Sequence, residues 1–149
     1  MTQLVHVPSG RVPAPPMANE TQLAKWGGAA KAGFQVIPNV LFRAQKHLEL
    51  DSVDIVVLLN ISMHWWGASN LPFPSPVIIA QRMNVSRRTI ERRLQKLEKR
   101  GFLKRLDAMA PKEGKPKVRR FDMGGLVEKL EIAALTGLAQ REFVKSRRQ

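Results

Sequence analysis

The chain has 149 residues, of which 44% are hydrophobic, so it can form one domain with a true core, and this argues against wholesale disorder. It contains no cysteine, which excludes disulfide scaffolds and cysteine-ligated metal sites. Its 25 Lys and Arg residues against 12 Asp and Glu give a net charge of +13, which favours a polyanionic partner: DNA, RNA or an acidic membrane surface.

The basic residues are concentrated in the second half of the chain. Residues 1–83 carry six basic and four acidic side chains, whereas residues 84–149 carry nineteen and eight. Residues 86–120 alone carry fourteen and four, a net charge of +10. Such a segment can be a solvated basic face, but beside the turn motif described below it favours a nucleic-acid surface.

Residues 1–33 are predicted to be a flexible Pro/Gly-rich tail, because four prolines lie between residues 8 and 16 and two glycines follow Trp26. The N-terminus lacks the basic start and apolar stretch of a signal peptide, and the longest apolar run, residues 55–59, is too short to cross a bilayer. We therefore expect a cytoplasmic, nucleoid-associated protein with no membrane partner.

Two helices are predicted before the basic segment. Pro38 suits the first turn of a helix over residues 38–47, after a short extended stretch at residues 34–37. Asp51 or Ser52 can cap the second helix. The positions that its pattern predicts to face the core recur at intervals of three and four residues: Val53, Val56, Val57, Asn60, Ile61 and Trp65. The β-branched residues 55–57 leave a strand open as an alternative.

The next segment has the pattern of a helix-turn-helix. Ser75 is a helix cap and Pro76 occupies the first helical position, which predicts a helix over residues 77–83. Asn84 tolerates the left-handed conformation that the turn requires. Ser86 then caps a second helix.

That second helix, residues 86–100, is predicted to have one buried and one basic side. At about 100° per residue, Ile90, Leu94 and Leu97 form a buried stripe. Roughly opposite, with two flanking residues included, lie Arg88, Arg92, Gln95, Lys99, Thr89 and Lys96. Gly101 ends the helix.

The basic side of this helix is the predicted DNA-reading surface. Arginine can bind guanine O6 and N7 with two hydrogen bonds, and the N-terminal residues of such helices usually touch base edges. The candidates are Arg87, Arg88, Thr89 and Arg92 for bases, Gln95, Lys96 and Lys99 for the backbone, Ser86 as a cap or phosphate contact, and Arg93 as a further DNA contact. Alternatively the arginines are solvated and pair with Glu91 and Glu98, but five basic residues over positions 87–96 outnumber Glu91 alone.

Two short strands are predicted to follow, at residues 102–107 and 117–122, joined by a basic Pro/Gly loop. This hairpin would be the wing, giving a mainly α winged helix-turn-helix over residues 34–123. Its cations could follow a phosphate strand or enter the minor groove, or else be solvated: Lys104, Arg105, Lys112, Lys115, Lys117, Arg119 and Arg120.

Residues 124–149 are predicted to form a C-terminal helix with two apolar faces. One face contains Leu126, Leu130 and Leu138, and the other includes Ile132 and Leu135. The second face is a possible dimerisation element, so a homodimer is expected, although a helix of this kind could also bind a membrane surface.

No catalytic, metal or cofactor site is predicted. Trp65 is expected in the core and His64 at the surface or a helix end, so the His64–Trp66 stretch is not interpreted as a ligand site. Three scattered histidines and one close acidic pair, Asp51 and Asp54, do not assemble a nuclease or hydrolase centre. We therefore expect no enzyme activity, no cofactor and no small-molecule ligand.

Residues 34–130 resemble the winged-helix domains of bacterial, phage and plasmid replication initiators and related small regulators. The stretches that carry the resemblance are Ile37-Pro-Asn39, Pro72-Phe-Pro-Ser75, Ile79-Ala80, Asn84-Val-Ser-Arg-Arg-Thr89, Leu97-Glu98, Gly101-Phe-Leu103 and Gly125-Leu-Val-Glu-Lys-Leu130. The resemblance implies sequence-specific duplex DNA binding through Arg87, Arg88, Thr89 and Arg92, often as dimers. The resemblance does not distinguish a role in replication from a role in transcription.

The sequence thus predicts a sequence-specific double-stranded DNA-binding protein, in first place a transcriptional regulator of a bacterial or mobile-element operon. The alternative is a plasmid or phage replication-initiation or partition protein. A second alternative is an RNA-binding or non-specific nucleic-acid protein. It is disfavoured because the chain has no tyrosine and its Phe and Trp residues are mostly expected in the core, which leaves no stacking platform.

Overall fold

The computed structural model describes residues 16–68, 70–106 and 119–148, with the backbone alone for residues 138–144. Its elements in chain order are α1 (Glu20–Trp26), a 3₁₀ helix (Gly27–Ala32), α2 (Val40–Arg43), α3 (Ser52–Ser62), α4 (Pro76–Met83), α5 (Arg87–Lys99), β1 (Lys104–Leu106), β2 (Arg120–Asp122) and α6 (Gly124–Arg147). The mainly helical winged-helix architecture predicted from the sequence is confirmed.

The N-terminal segment contains more regular structure than its composition predicts. Residues 1–15 lie outside the described part, but Asn19 is the N-cap of α1 in a complete capping box. Asn19 accepts a hydrogen bond from the Gln22 amide at 3.1 Å, and the Gln22 side chain accepts one from the Asn19 amide at 2.8 Å. This cap satisfies backbone donors locally, so a short helix forms although none of its residues is buried.

α2 is shorter than the helix predicted from the sequence, and α3 buries a different set of residues from the predicted one. α2 covers only four residues, and turns follow it up to Glu49, whose φ of 53° is left-handed. α3 is a helix and not a strand, capped by Asp51. Val56 is 40% exposed whereas Ile55 and Val57 are buried, because a nearly uniformly apolar helix does not reveal its buried side through spacing.

The helix-turn-helix forms as predicted. Ser75 accepts a hydrogen bond from the Val77 amide at 3.2 Å, with Pro76 at the first helical position. Asn84 ends α4 in the left-handed conformation, at φ 53° and ψ 45°. Ile79 of α4 and the α5 stripe of Ile90, Leu94 and Leu97 are all 0% exposed. The aliphatic core therefore fixes α5 with its other side outward.

The wing is a two-stranded antiparallel sheet in the described residues. Arg105 is paired with Phe121, and Lys104 with Asp122. The Phe121 amide also donates to the Pro72 carbonyl at 2.9 Å, so the segment before α4 lies alongside β2. Because side chains alternate along a strand, Lys104 and Asp122 occupy one face and Arg105 and the buried Phe121 the other.

The first turns of α6 close the core. The Leu126 amide donates to the Phe102 carbonyl at 2.8 Å, and a Cβ on Gly125 would lie 2.0 Å from the Gly101 carbonyl oxygen. Farther along, Ile132 and Leu135 are 60% and 68% exposed. These two residues of the second apolar face of α6 are thus uncovered in the single chain. Within the described ranges no helix is both long and apolar enough to traverse a bilayer.

Candidate nucleic-acid interface

The outward side of α5 presents an unpaired basic surface. Arg88, Arg92, Gln95 and Lys99 follow one another at helical spacing, and all four are exposed. Among the described residues no carboxylate forms an ion pair with these three cations. Their charge is therefore available to a polyanion. We call Arg88, Arg92, Gln95 and Lys99 the outward face of α5.

The N-terminus of α5 is ordered by two hydroxyl groups. Ser86 accepts a hydrogen bond from the Thr89 amide at 3.1 Å, and the two hydroxyl oxygens lie 2.9 Å apart. Ser86 therefore acts as the helix cap, and its contact occupies the Thr89 hydroxyl. Arg87, at the first helical position, is exposed.

The cations on one flank of α5 form ion pairs with carboxylates at the start of α3. The Arg93 guanidinium hydrogen-bonds to Asp51 and lies 3.2 Å from Asp54 Oδ1, while Lys96 Nζ lies 3.2 Å from Asp54 Oδ2. Asp54 is 0% exposed, and each of its two carboxyl oxygens contacts a cationic side chain of α5. Further along the same flank, Arg100 donates to the backbone carbonyls of residues 48 and 49 at 2.5 and 2.8 Å.

The ionisation of this cluster follows from its contacts. Burial alone would raise the pKa of Asp51, but the Asp54 amide and the Arg93 guanidinium outweigh it and hold that pKa below its usual value. The hydrogen bond to Asp51 is the main cause of a raised pKa for Arg93. Asp51 and Arg93 are therefore both charged at neutral pH and form an ion pair.

The opposite flank of α5 carries two glutamates, which form ion pairs with Arg105 of the wing. Arg105 Nε lies 2.7 Å from Glu98 and its Nη1 lies 3.1 Å from Glu91. The Arg105 side chain is only 14% exposed. Although the sequence places Arg105 in the wing, its guanidinium faces α5 and joins the wing to it. We therefore leave Arg93, Lys96 and Arg105 out of the proposed interface.

The wing adds cations on its solvent side. Lys104, Arg119 and Arg120 are exposed, and no ion pair of theirs occurs in the described residues. The loop cations predicted to contact phosphates, Lys112, Lys115 and Lys117, lie outside the described residues.

The exposure of the aromatic side chains corrects the sequence interpretation. Phe102 and Phe121 are buried, but four others are exposed: Trp26, Phe42, Trp66 and Phe73. None of these four belongs to α5, β1 or β2. Trp65 packs against the core as expected.

His64 follows α3 and contacts α4. Its Nε2 lies 3.2 Å from Arg82 Nη1. Burial, followed by the Arg82 charge, lowers the pKa of His64, so the neutral imidazole is favoured. No three His, Asp or Glu side chains come close enough to hold a metal ion in the part of the chain that the structure describes.

Sequence reasoning did not identify Asp51 and Asp54 as partners of α5. These acids lie about forty residues before the cations that they bind. A helical wheel of α5 alone cannot show such partners. The available signal was the short spacing of two acids at the start of a helix in an otherwise basic protein.

Comparison with known proteins gives a family match and similar solved structures. Residues 37–145 match the model of the DnaD N-terminal domain. The crystal structure of the N-terminal domain of DnaD protein from Geobacillus kaustophilus HTA426 is similar, with 25% sequence identity and a TM-score of 0.56, over 84% of this chain and 98% of that chain. No curated protein matches significantly.

Proposed function

We propose that this chain, which belongs to the DnaD N-terminal domain family, binds duplex DNA in replication through the outward face of α5 and the wing. The family is one of replication-initiation and primosome domains with a winged-helix-like fold. It supports the replication alternative, whereas nothing found supports the transcriptional regulator that the sequence favoured.

The observation that carries this proposal is the selective pairing on α5. Its two flanks form ion pairs with other elements, yet Arg88, Arg92 and Lys99 between them have no carboxylate partner in the described residues. In this proposal, Arg88 and Arg92 contact base edges in the major groove and Lys99 contacts a phosphate. The exposed wing cations Lys104, Arg119 and Arg120 would contact the neighbouring backbone.

The test begins with selection of preferred sites from a random duplex library by the unmodified chain. Competition between selected and random duplexes then compares it with the Arg88→Ala/Arg92→Ala variant. Each lost bidentate base contact weakens discrimination by about 1–3 kcal/mol, so the variant should lose its preference while its melting temperature is kept. A matched control is Arg43→Ala/Lys46→Ala, which removes two exposed cations near α2.

The control should keep the preference. An equal preference in the unmodified chain and the Arg88/Arg92 variant would refute reading by α5. If the unmodified chain selects no preferred duplex and binds RNA as tightly as it binds random duplex DNA, the result would support the non-specific alternative. The four exposed aromatics keep that alternative open, although none of them lies on α5, β1 or β2.

We further propose a non-catalytic domain that forms homo-oligomers through α6. Support for the second point is the exposure of Ile132 and Leu135 on a helix whose first turns are already packed in the core. Leu135→Glu should shift the mass measured by light scattering towards the monomer, whereas Thr136→Glu, at the next exposed position, should not. An unchanged mass for Leu135→Glu would contradict this contact.

A further inference from the structure

We infer that Asp54 determines specificity by holding Lys96 away from DNA, so that only the outward face of α5 meets the duplex. The inference rests on the proposed function. Asp54 touches no DNA in this proposal and acts as a positioning residue through the cation that it binds.

The geometry of the pair supports this role. Asp54 is 0% exposed and belongs to the N-terminal capping box of α3, so the carboxylate cannot move to follow a departing partner. Lys96 Nζ lies 3.2 Å from its Oδ2, and the Lys96 side chain remains 44% exposed. The lysine is therefore held at the surface, next to solvent, by a fixed, buried carboxyl group.

Lys96 could reach DNA if it were released. On α5 it lies about 60° from the middle of the side formed by Arg88, Arg92 and Lys99. A lysine side chain is long and flexible, which is enough to bring its ammonium to a phosphate. A phosphate contact adds affinity for every sequence alike and so lowers discrimination.

Arg93 is held more firmly than Lys96. It contacts both Asp51 and Asp54, and its side chain is 28% exposed. Asp54→Asn removes the charge that holds Lys96, whereas Asp51 still binds Arg93. With its oxygen at the Oδ2 position, asparagine keeps the Asp51 amide hydrogen bond of the capping box, which Asp54 now accepts at 3.2 Å, and offers Lys96 only a neutral oxygen in place of a carboxylate. Its amide nitrogen then takes the place of the oxygen that Arg93 contacts, and Arg93 keeps Asp51 as its partner.

The experiment measures binding to a random-sequence duplex as a function of salt for four proteins: the unmodified chain, Asp54→Asn, Lys96→Ala and the double variant. One additional phosphate contact changes the slope of log K against log salt by about −0.9. Asp54→Asn should therefore lose about 3.5-fold more affinity than the unmodified chain between 50 and 200 mM salt. Its preference for a selected duplex over a random one should fall as well.

The two other variants identify the cation. Lys96→Ala alone should keep the slope of the unmodified chain, and the double variant should return to that slope. An unchanged slope in Asp54→Asn, or a shallower one in Lys96→Ala alone, would overturn the inference. Where Asp54→Asn does not fold, Lys96→Ala still tests the inference, because Arg93 continues to bind Asp54 in that variant and a slope shallower than that of the unmodified chain would show that Lys96 already contacts DNA. Absence of duplex binding by the unmodified chain would instead refute the proposed function, and this inference with it.

Discussion

Replacing Gly125 by alanine is expected to destabilise the protein, although alanine is the better helix former. The new Cβ would lie 2.0 Å from the Gly101 carbonyl oxygen and 3.4 Å from the Phe102 carbonyl carbon. Both neighbours are backbone, so α6 itself must shift. The shift also disturbs the 2.8 Å hydrogen bond from the Leu126 amide to Phe102.

The expected magnitude follows from three contributions. Overpacking typically costs about 1–3 kcal/mol, and the weakened hydrogen bond costs about 1 kcal/mol more. The gain in helix propensity offsets up to about 1 kcal/mol. The net loss is about 2 kcal/mol, which at an m-value of about 2 kcal/mol/M lowers the urea midpoint by about 1 M.

Gly137 provides the matched control, because it lies in the same helix and a Cβ there would meet nothing within 4 Å. Gly137→Ala should raise the free energy of unfolding by about 0.5–1 kcal/mol. The same substitution is therefore expected to stabilise the protein at residue 137 and to destabilise it at residue 125. Urea unfolding followed by circular dichroism measures both. A midpoint for Gly125→Ala at or above that of the unmodified chain would refute the close approach of α6 to Gly101.

Three further outcomes can be measured in the same unfolding assay. Asn84→Val should cost about 1–2 kcal/mol while Asn84→Gly stays close to neutral, because the φ of 53° disfavours branched side chains; equal effects would be inconsistent with this turn. Arg105→Ala should cost about 1 kcal/mol, because Glu91 and Glu98 lose their partner but are 33% and 39% exposed, so water partly replaces it, and Lys104→Ala, one residue earlier and exposed, should cost little. Because the pKa of His64 is lowered on folding, the unfolded chain binds more protons below about pH 6.5. Stability should therefore fall as the pH drops from 7.5 to 5.5, and His64→Gln should weaken that fall; identical losses in both proteins would argue against the His64 contribution.

Local signals predicted the helix-turn-helix well. Ser75, Asn84 and Ser86 act on backbone groups within a few residues of themselves, so their positions mark the ends of α4 and α5. The buried stripe of α5 was also predictable, since Ile90 and Leu94 stand out among charged neighbours. In α3 the same reasoning misplaced Val56, because the contrast between apolar and polar positions is weak there.

The environment of the basic residues was not predictable from one helix. Charge spacing identified the outward face of α5 but could not separate Arg92, which has no ion-pair partner in the described residues, from Arg93, which is bound to two carboxylates. Those carboxylates are brought to α5 by tertiary packing. Arg105 shows the same limit, because the choice between the solvent side and the core side of a three-residue strand depends on its register.

The contacts of Arg93, Lys96 and Arg100 have a mechanical consequence. All three reach from α5 or the residue that ends it to residues 48–54, so these charged contacts tie the beginning of α3 to α5. Any displacement of that segment must carry α5 with it or break these charged contacts.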